Sequence, residues 1–158
     1  MIAVRAFLLD VLPTGVEVVQ SQQNRVPQPV SESFVTMAPT SRRQLSASYR
    51  EGDATAGTLA VGRSTGIGVQ IDVYGVAATD NAQVIATLLR DDYGCRFLAP
   101  YNVQPLYCDD GSQMPLVNGE QQYEQRWMLR AMFQANPYVS TPAAFPAKVD
   151  VETIQADR

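Results

Sequence analysis

Two acidic pairs, Asp91-Asp92 and Asp109-Asp110, come nearest in type and spacing to residues that do chemistry. Paired carboxylates act as general acid and base in hydrolysis, or hold a cation, but each use needs a further base or ligand at a fitting distance. The chain has no histidine, which removes the commonest proton shuttle and the commonest metal ligand together. Asp91-Asp92 therefore reads as a solvated helix end, and Asp109-Asp110-Gly111 as a turn. A small hydrolase or ligand-binding domain using Asp109 and Asp110 is the alternative of a different class. Ser41 and Ser46 lack a base to activate them. Cys95 and Cys108 are too few and wrongly spaced for a zinc site or a disulfide framework, and are expected to be reduced, packed thiols. No GxGxxG or Walker-type pattern occurs, so no nucleotide, cofactor or metal is expected. Arg42-Arg43 is the remaining constellation, either gripping an acidic surface or a phosphate, or lying on a solvated strand edge.

The elements that would position these residues follow from size and pattern. At 158 residues, 46% apolar and 18% charged, the chain suits one domain with a real core. Its net charge of −4 leaves no basic footprint for nucleic acid. An acidic surface suits a wall past which DNA slides without sticking. The opening MIAVRAFLLDVLP has a short apolar run interrupted by Arg5 and lacks a basic leader. No stretch approaches the ~20 apolar residues of a membrane span. A soluble protein of a reducing compartment is expected.

Ala3, Val4, Phe7, Leu8 and Val11 recur at helical spacing, and Pro13 and Gly15 stop that helix. VEVVQ (16–20) and SFVTMAP (33–39) read as strands, the second ending before Pro39. Residues 40–66 read as a hairpin or projecting loop, with EGD (51–53) at its tip. IGVQIDVYG alternates as a strand, with Ile67, Val69, Ile71 and Val73 on one face. TDNAQVIATLLRDDYG predicts a helix capped by Thr79 or Asp80, with a stripe of Ala82, Ile85, Leu88, Leu89 and Tyr93, stopped at Gly94. QPLYC and QMPLV are short strands, and Asn118-Gly119 favours a tight turn.

QYEQRWMLRAMFQA (122–135) is the ambiguous segment, since its residues are helix formers, so that propensity favours helix by a small margin, yet they alternate like a strand. The upstream turn and the Asn136-Pro137 stop favour a long strand, buried on the face of Tyr123, Gln125, Trp127, Leu129, Ala131 and Phe133. Trp127 is then core. The order of elements predicts an α+β fold: a mostly antiparallel sheet, two helices on one face, a projecting hairpin or loop (46–66), and an extended C-terminal arm. The domain spans 1–137 and the arm 138–158. Val149 and Val151 in that arm regain strand alternation.

Taken together, RAFLLDVLPTGVEVVQSQQNRVPQP, FVTMAP, VQIDVYG with TDNAQVIATLLRDDYG, PLYCDD, VNGEQQYEQRW and QANP resemble, in type and order, the neck terminator proteins of phages and prophages. These are the tail terminators of long-tailed bacteriophages. The resemblance covers most of residues 4–137, is most specific in NRVPQP and in 117–137, and is weak over 48–66 and the last twenty residues. Many relatives start further upstream, so the first helix is expected to be shorter than theirs.

The resemblance implies a virion protein made in the host cytoplasm that closes into a homo-oligomeric ring, a hexamer, on the last ring of the tail tube. It would end tube polymerisation and present the surface for head attachment. The partners implied are the tail tube protein, head-tail connector or neck proteins, and the tail sheath where the tail is contractile. DNA would pass through the lumen without sequence-specific binding. No catalytic group, cofactor or metal is required. Arg42, Arg43, Tyr49, Arg50 and Tyr138 are the expected contact residues of the loop and arm, and Val149, Val151 and Ile154 those of a strand added to a neighbour. Another neck, stopper or tail-completion protein is the nearest alternative. A DNA-binding regulator is disfavoured by charge and by the lack of a helix-turn-helix pair.

Overall fold

The computed structural model describes residues 1–21, 29, 31–114, 116–117 and 123–145. Helix α1 (Ile2–Val11) buries Ala3, Val4, Phe7 and Leu8, the expected stripe, and the chain turns through Gly15 at φ +100°. Strand β1 (Glu17–Gln20) then runs parallel to β2 (Phe34–Gln44), Gln20 facing Met37. β2 does not stop before Pro39 as the sequence suggests. Past Met37 no described residue pairs with it on the β1 side, and a proline is tolerated on such an edge because no ladder bond is lost there. The register shifts between Pro39 and Ser41.

β2 leads into β3 (Tyr49–Asp53), β4 (Thr58–Gly62) and β5 (Thr65–Tyr74). The hairpin turn spans 54–57 rather than the expected 51–53. Asp53 sets it, since its Oδ1 accepts from the amides of Thr55 and Ala56 at 2.9 and 3.0 Å. β5 is central, and Val69, Ile71 and Val73 enter the core as expected.

Helix α2 (Ala78–Arg90) buries Ala82, Ile85 and Leu89. Its N-cap is Ala77 with no side-chain bond, so neither Thr79 nor Asp80 caps it; both lie within the first turn, where Asp80 faces the positive helix end. The expected single helix is also broken. Asp91 adopts extended backbone and its carboxylate accepts from the Tyr93 amide at 2.9 Å, capping a third helix, α3 (Asp92–Leu98). Gly94 is therefore a buried position inside α3 rather than a stop. A Cβ there would lie 2.6 Å from the Leu88 carbonyl oxygen, so glycine lets α3 close on the end of α2. Tyr93 leaves the α2 stripe and is exposed, its hydroxyl donating to Asp10. A short 3-10 turn, Ala99–Tyr101, follows.

β6 (Val103–Cys108) and β7 (Ser112–Gln113) pair with β10 (Arg126–Ala135), while β8 (Leu116–Val117) and β9 (Tyr123–Glu124) pair with each other. The ambiguous segment is thus a strand, with Leu129, Ala131 and Phe133 buried and Trp127 packed against them. The main sheet runs β1-β2-β5-β10-β6, with β7 also on β10, antiparallel except at β1–β2. The architecture is α+β.

β11 (Tyr138–Pro142) completes a second sheet, ordered β11-β4-β3. That order repeats β10-β5-β2. Each central strand of the main sheet continues through a connector of two to four residues into its counterpart. Leu45 N to Ser64 O at 2.9 Å and Arg63 N to Pro137 O at 3.3 Å carry the ladder across the junction. The result is a three-stranded ribbon that leaves the helix-covered body as one piece. The first five residues of the expected C-terminal arm belong to this ribbon, paired with β4 of the same chain.

Candidate assembly surface

Along the ribbon the strands place the sequence-selected residues in cross-strand rows. Tyr49, Gly62 and Tyr138 share one row, and Arg50, Val61 and Val139 the next. The Tyr49 ring lies over Gly62, filling the space a Cβ would take. Phe145 lies over Gly52 in the same way, where a Cβ would sit 2.6 Å from the ring. Glycine at both positions lets an aromatic ring pack flat against backbone. Every residue from Pro39 to Ala56, and from Asn136 to Pro142, is exposed. Tyr49 and Tyr138 are 44% and 67% exposed, which marks apolar area with no cover in one copy.

Arg42 and Arg43 stand opposite Ile67 and Gly66, on the end of β2 that has no β1 neighbour. With Arg50 and Arg63 they form a basic set at the root and along the ribbon. Of the described ion pairs, none involves these four: Arg90 pairs with Asp110 at 2.9 Å, Arg126 with Asp72 at 3.0 Å, and Arg96 with Asp92. The structure thus places Tyr49, Arg50 and Tyr138 in adjacent rows of the ribbon, and Arg42 and Arg43 on β2 of the main sheet, where the ribbon begins. Val149, Val151 and Ile154 lie outside the described residues.

Arg90 links the two segments that carry the acidic pairs. Arg90, at the end of α2, donates through Nε to the Cys108 carbonyl at 2.7 Å and bridges Asp110, tying the α2–α3 junction to the β6–β7 turn. Asp91, Asp92, Asp109 and Asp110 are all exposed. Among the described residues no three acids or thiols are grouped to hold a metal ion. Cys108 is buried and its thiol is pushed up to about 11, burial outweighing the lowering by Arg90. It is not a nucleophile at neutral pH. Cys95 is also a free thiol. An open groove of about 340 Å³ along β1 is lined by Met1, Ile2, Val18, Val19 and Met37, with Arg5 and Gln20 at its polar side. No helix among the described residues is long and apolar enough to cross a membrane.

Sequence reasoning passed over Gly62, Phe145 and Val139, and gave Arg63 no role. The readable signal was Gly52 and Gly62 within a strand pattern, which marks a close approach of another group.

No curated protein matches this chain. One solved structure that matches is the sheath/tube terminator of an extracellular contractile injection system, PVC, in its extended state, with TM-score 0.49 and 13% identity. The match covers 99% of this chain, which spans 62% of the length of that one. The family model of phage neck terminator proteins matches residues 1–157. By that match, the chain belongs to the phage neck terminator proteins, a structural family of the virion tail.

Proposed function

We propose that the protein closes as a ring, a hexamer, on the end of the tail tube, ends tube polymerisation and offers the surface to which the head connector attaches. The observation that carries this reading is family membership over nearly the whole chain, held by an α+β body from which a bonded ribbon extends. A terminator works by contacts alone. It needs open edges for a repeated head-to-tail contact and a stiff element that reaches a second partner. Here the outer edges of β1 and β6 supply the first, and the ribbon carrying Tyr49, Arg50 and Tyr138, with Arg42 and Arg43 at its root on β2, supplies the second. Val149, Val151 and Ile154 add a strand to a neighbour. The tail tube protein, the neck proteins and, in a contractile tail, the sheath are the partners, and DNA passes through the lumen.

Negative-stain microscopy of the purified protein, alone and mixed with tail tubes of its own phage, tests this. Rings, or density capping one end of tubes of limited length, are the expected result. A monomer that ignores tubes and instead binds head connectors would move the protein to another station of the neck.

A further inference from the structure

Charge is divided unevenly between ribbon and body. Residues 40–63 and 136–145 carry Arg42, Arg43, Arg50 and Arg63 against Glu51 and Asp53, whereas the other described residues carry ten acids against five arginines. A basic element and an acidic body in one chain attract each other, yet among the described residues of one copy no ion pair joins Arg42, Arg43, Arg50 or Arg63 to an acid. The ladder explains why. Bonds from Leu45 to Ser64 and from Arg63 to Pro137 hold the ribbon in line with the main sheet, so it does not fold back. From Gln44 to its turn the ribbon is about ten residues, a reach of roughly 30 Å, comparable with the width of a body whose radius of gyration is about 15 Å. An element of that length, with both outer strands exposed, is long enough to cross onto an adjoining copy.

The geometry points to a head-to-tail contact between copies, in which the ribbon arginines of one copy dock on the acidic end of the next. The receiving surface is the β6–β7 turn with Asp109 and Asp110. Arg90 fastens it to the α2–α3 junction, so that Asp91 adds to the same lateral edge of the body. A contact of unlike surfaces repeats in one direction, which is what closes a ring. Tyr49 and Tyr138, in one row with Gly62, give the contact an apolar centre beside the charges. The inference rests on the ring reading above and specifies which surfaces meet in it.

Two full-length variants test it: Arg42→Glu with Arg43→Glu, and Asp109→Lys with Asp110→Lys. All these side chains are exposed, and unchanged circular dichroism and thermal midpoint confirm that each variant folds. Sedimentation velocity, at low and physiological salt, reads self-association alone and on tail tubes of the same phage. Each variant alone should associate at least ten-fold more weakly than the wild type, since it juxtaposes like charges. An equimolar mixture of the two should recover association, because each reversed surface then meets an opposite one. Variants that assemble like the wild type, or a mixture no better than its components, overturn the docking while leaving the ring reading intact. Loss of tube capping with undiminished self-association also overturns it, and assigns the ribbon to the tube. A wild type monomeric in both settings overturns the docking and the ring together.

Discussion

Arg126 on β10 lies diagonally across from Asp72 on β5, its Nε and Nη2 at 3.1 and 3.0 Å from the same carboxylate oxygen. Gln70 donates to the other oxygen at 2.8 Å, and the guanidinium stands 5.8 Å from the centre of the Tyr74 ring, which stacks on Phe34. β5 and β10 are thereby keyed to one register by polar contacts that apolar alternation cannot supply, and the Phe34–Tyr74 stack adds β2. Asp72 is 5% exposed, so its carboxylate takes its hydrogen bonds from these partners rather than from bulk water. Arg126→Met is expected to destabilise the fold by about 2–4 kcal/mol, since a buried carboxylate loses its counter-ion and Arg126 itself is partly solvated. Asp72→Leu combined with Arg126→Met should recover much of that loss. Urea unfolding midpoints of the single and double variants check both.

Gly75 and Gly15 have nearly the same backbone, φ +105° and +100°, but different surroundings. A Cβ at Gly75 would lie 2.6 Å from the Glu32 carbonyl oxygen, whereas nothing lies within 4 Å at Gly15. Gly15→Ala should therefore cost only the left-handed strain, about 1 kcal/mol. Gly75→Ala should cost roughly 2–3 kcal/mol, strain plus a backbone collision at the β5–α2 turn. Thermal unfolding of the pair separates the two contributions.

Cys108 should be the slower thiol. Its folded value of about 11 leaves almost no thiolate at pH 8, and burial blocks access, so a thiol reagent should label the half-buried Cys95 first. The sign for stability follows from linkage. Between pH 9 and about 11 the unfolded thiol loses its proton while the folded one keeps it, so stability falls as pH rises through that window. Cys108→Ala should show a shallower decline, read as thermal midpoint against pH.

Two truncations divide the C-terminal segment. A chain ending at Phe145 retains β11 and should keep the wild-type midpoint, and under the ring reading it loses the contacts of Val149, Val151 and Ile154. A chain ending at Pro137 also removes the partner strand of β4. It should still fold, because the buried apolar residues among those described all lie within 3–133, but amide exchange in β3 and β4 should accelerate markedly. Unfolding of the 1–137 chain would mean that the ribbon supports the body.

Asp109→Asn with Asp110→Asn should leave the unfolding midpoint within error, since both groups are exposed and the Arg90–Asp110 pair is a surface contact. A large shift would show that the turn does more than connect β6 to β7.

Alternation and helical spacing determined by themselves the α+β class, α1 and the body of α2, and with the upstream turn and the Asn136-Pro137 stop they gave the strand identity of 126–135. In each, burial of one face outweighs weak propensity, and that periodicity is written in the residue types. The acidic pairs, the arginine pair and the lack of histidine were equally legible, because they are matters of composition. Only the tertiary structure decided that Asp91 caps a third helix, since a capping carboxylate and a helix-end carboxylate look alike until the backbone turns. It alone decided that Gly94 serves close packing rather than termination, a choice made by the Leu88 carbonyl opposite it. A projecting hairpin or loop over 46–66 was expected, but its third strand, β11, was likewise beyond reach of pattern. Tyr49, Gly62 and Tyr138 are separated by 13 and 76 positions, and only strand pairing, a contact between distant segments, puts them in one row.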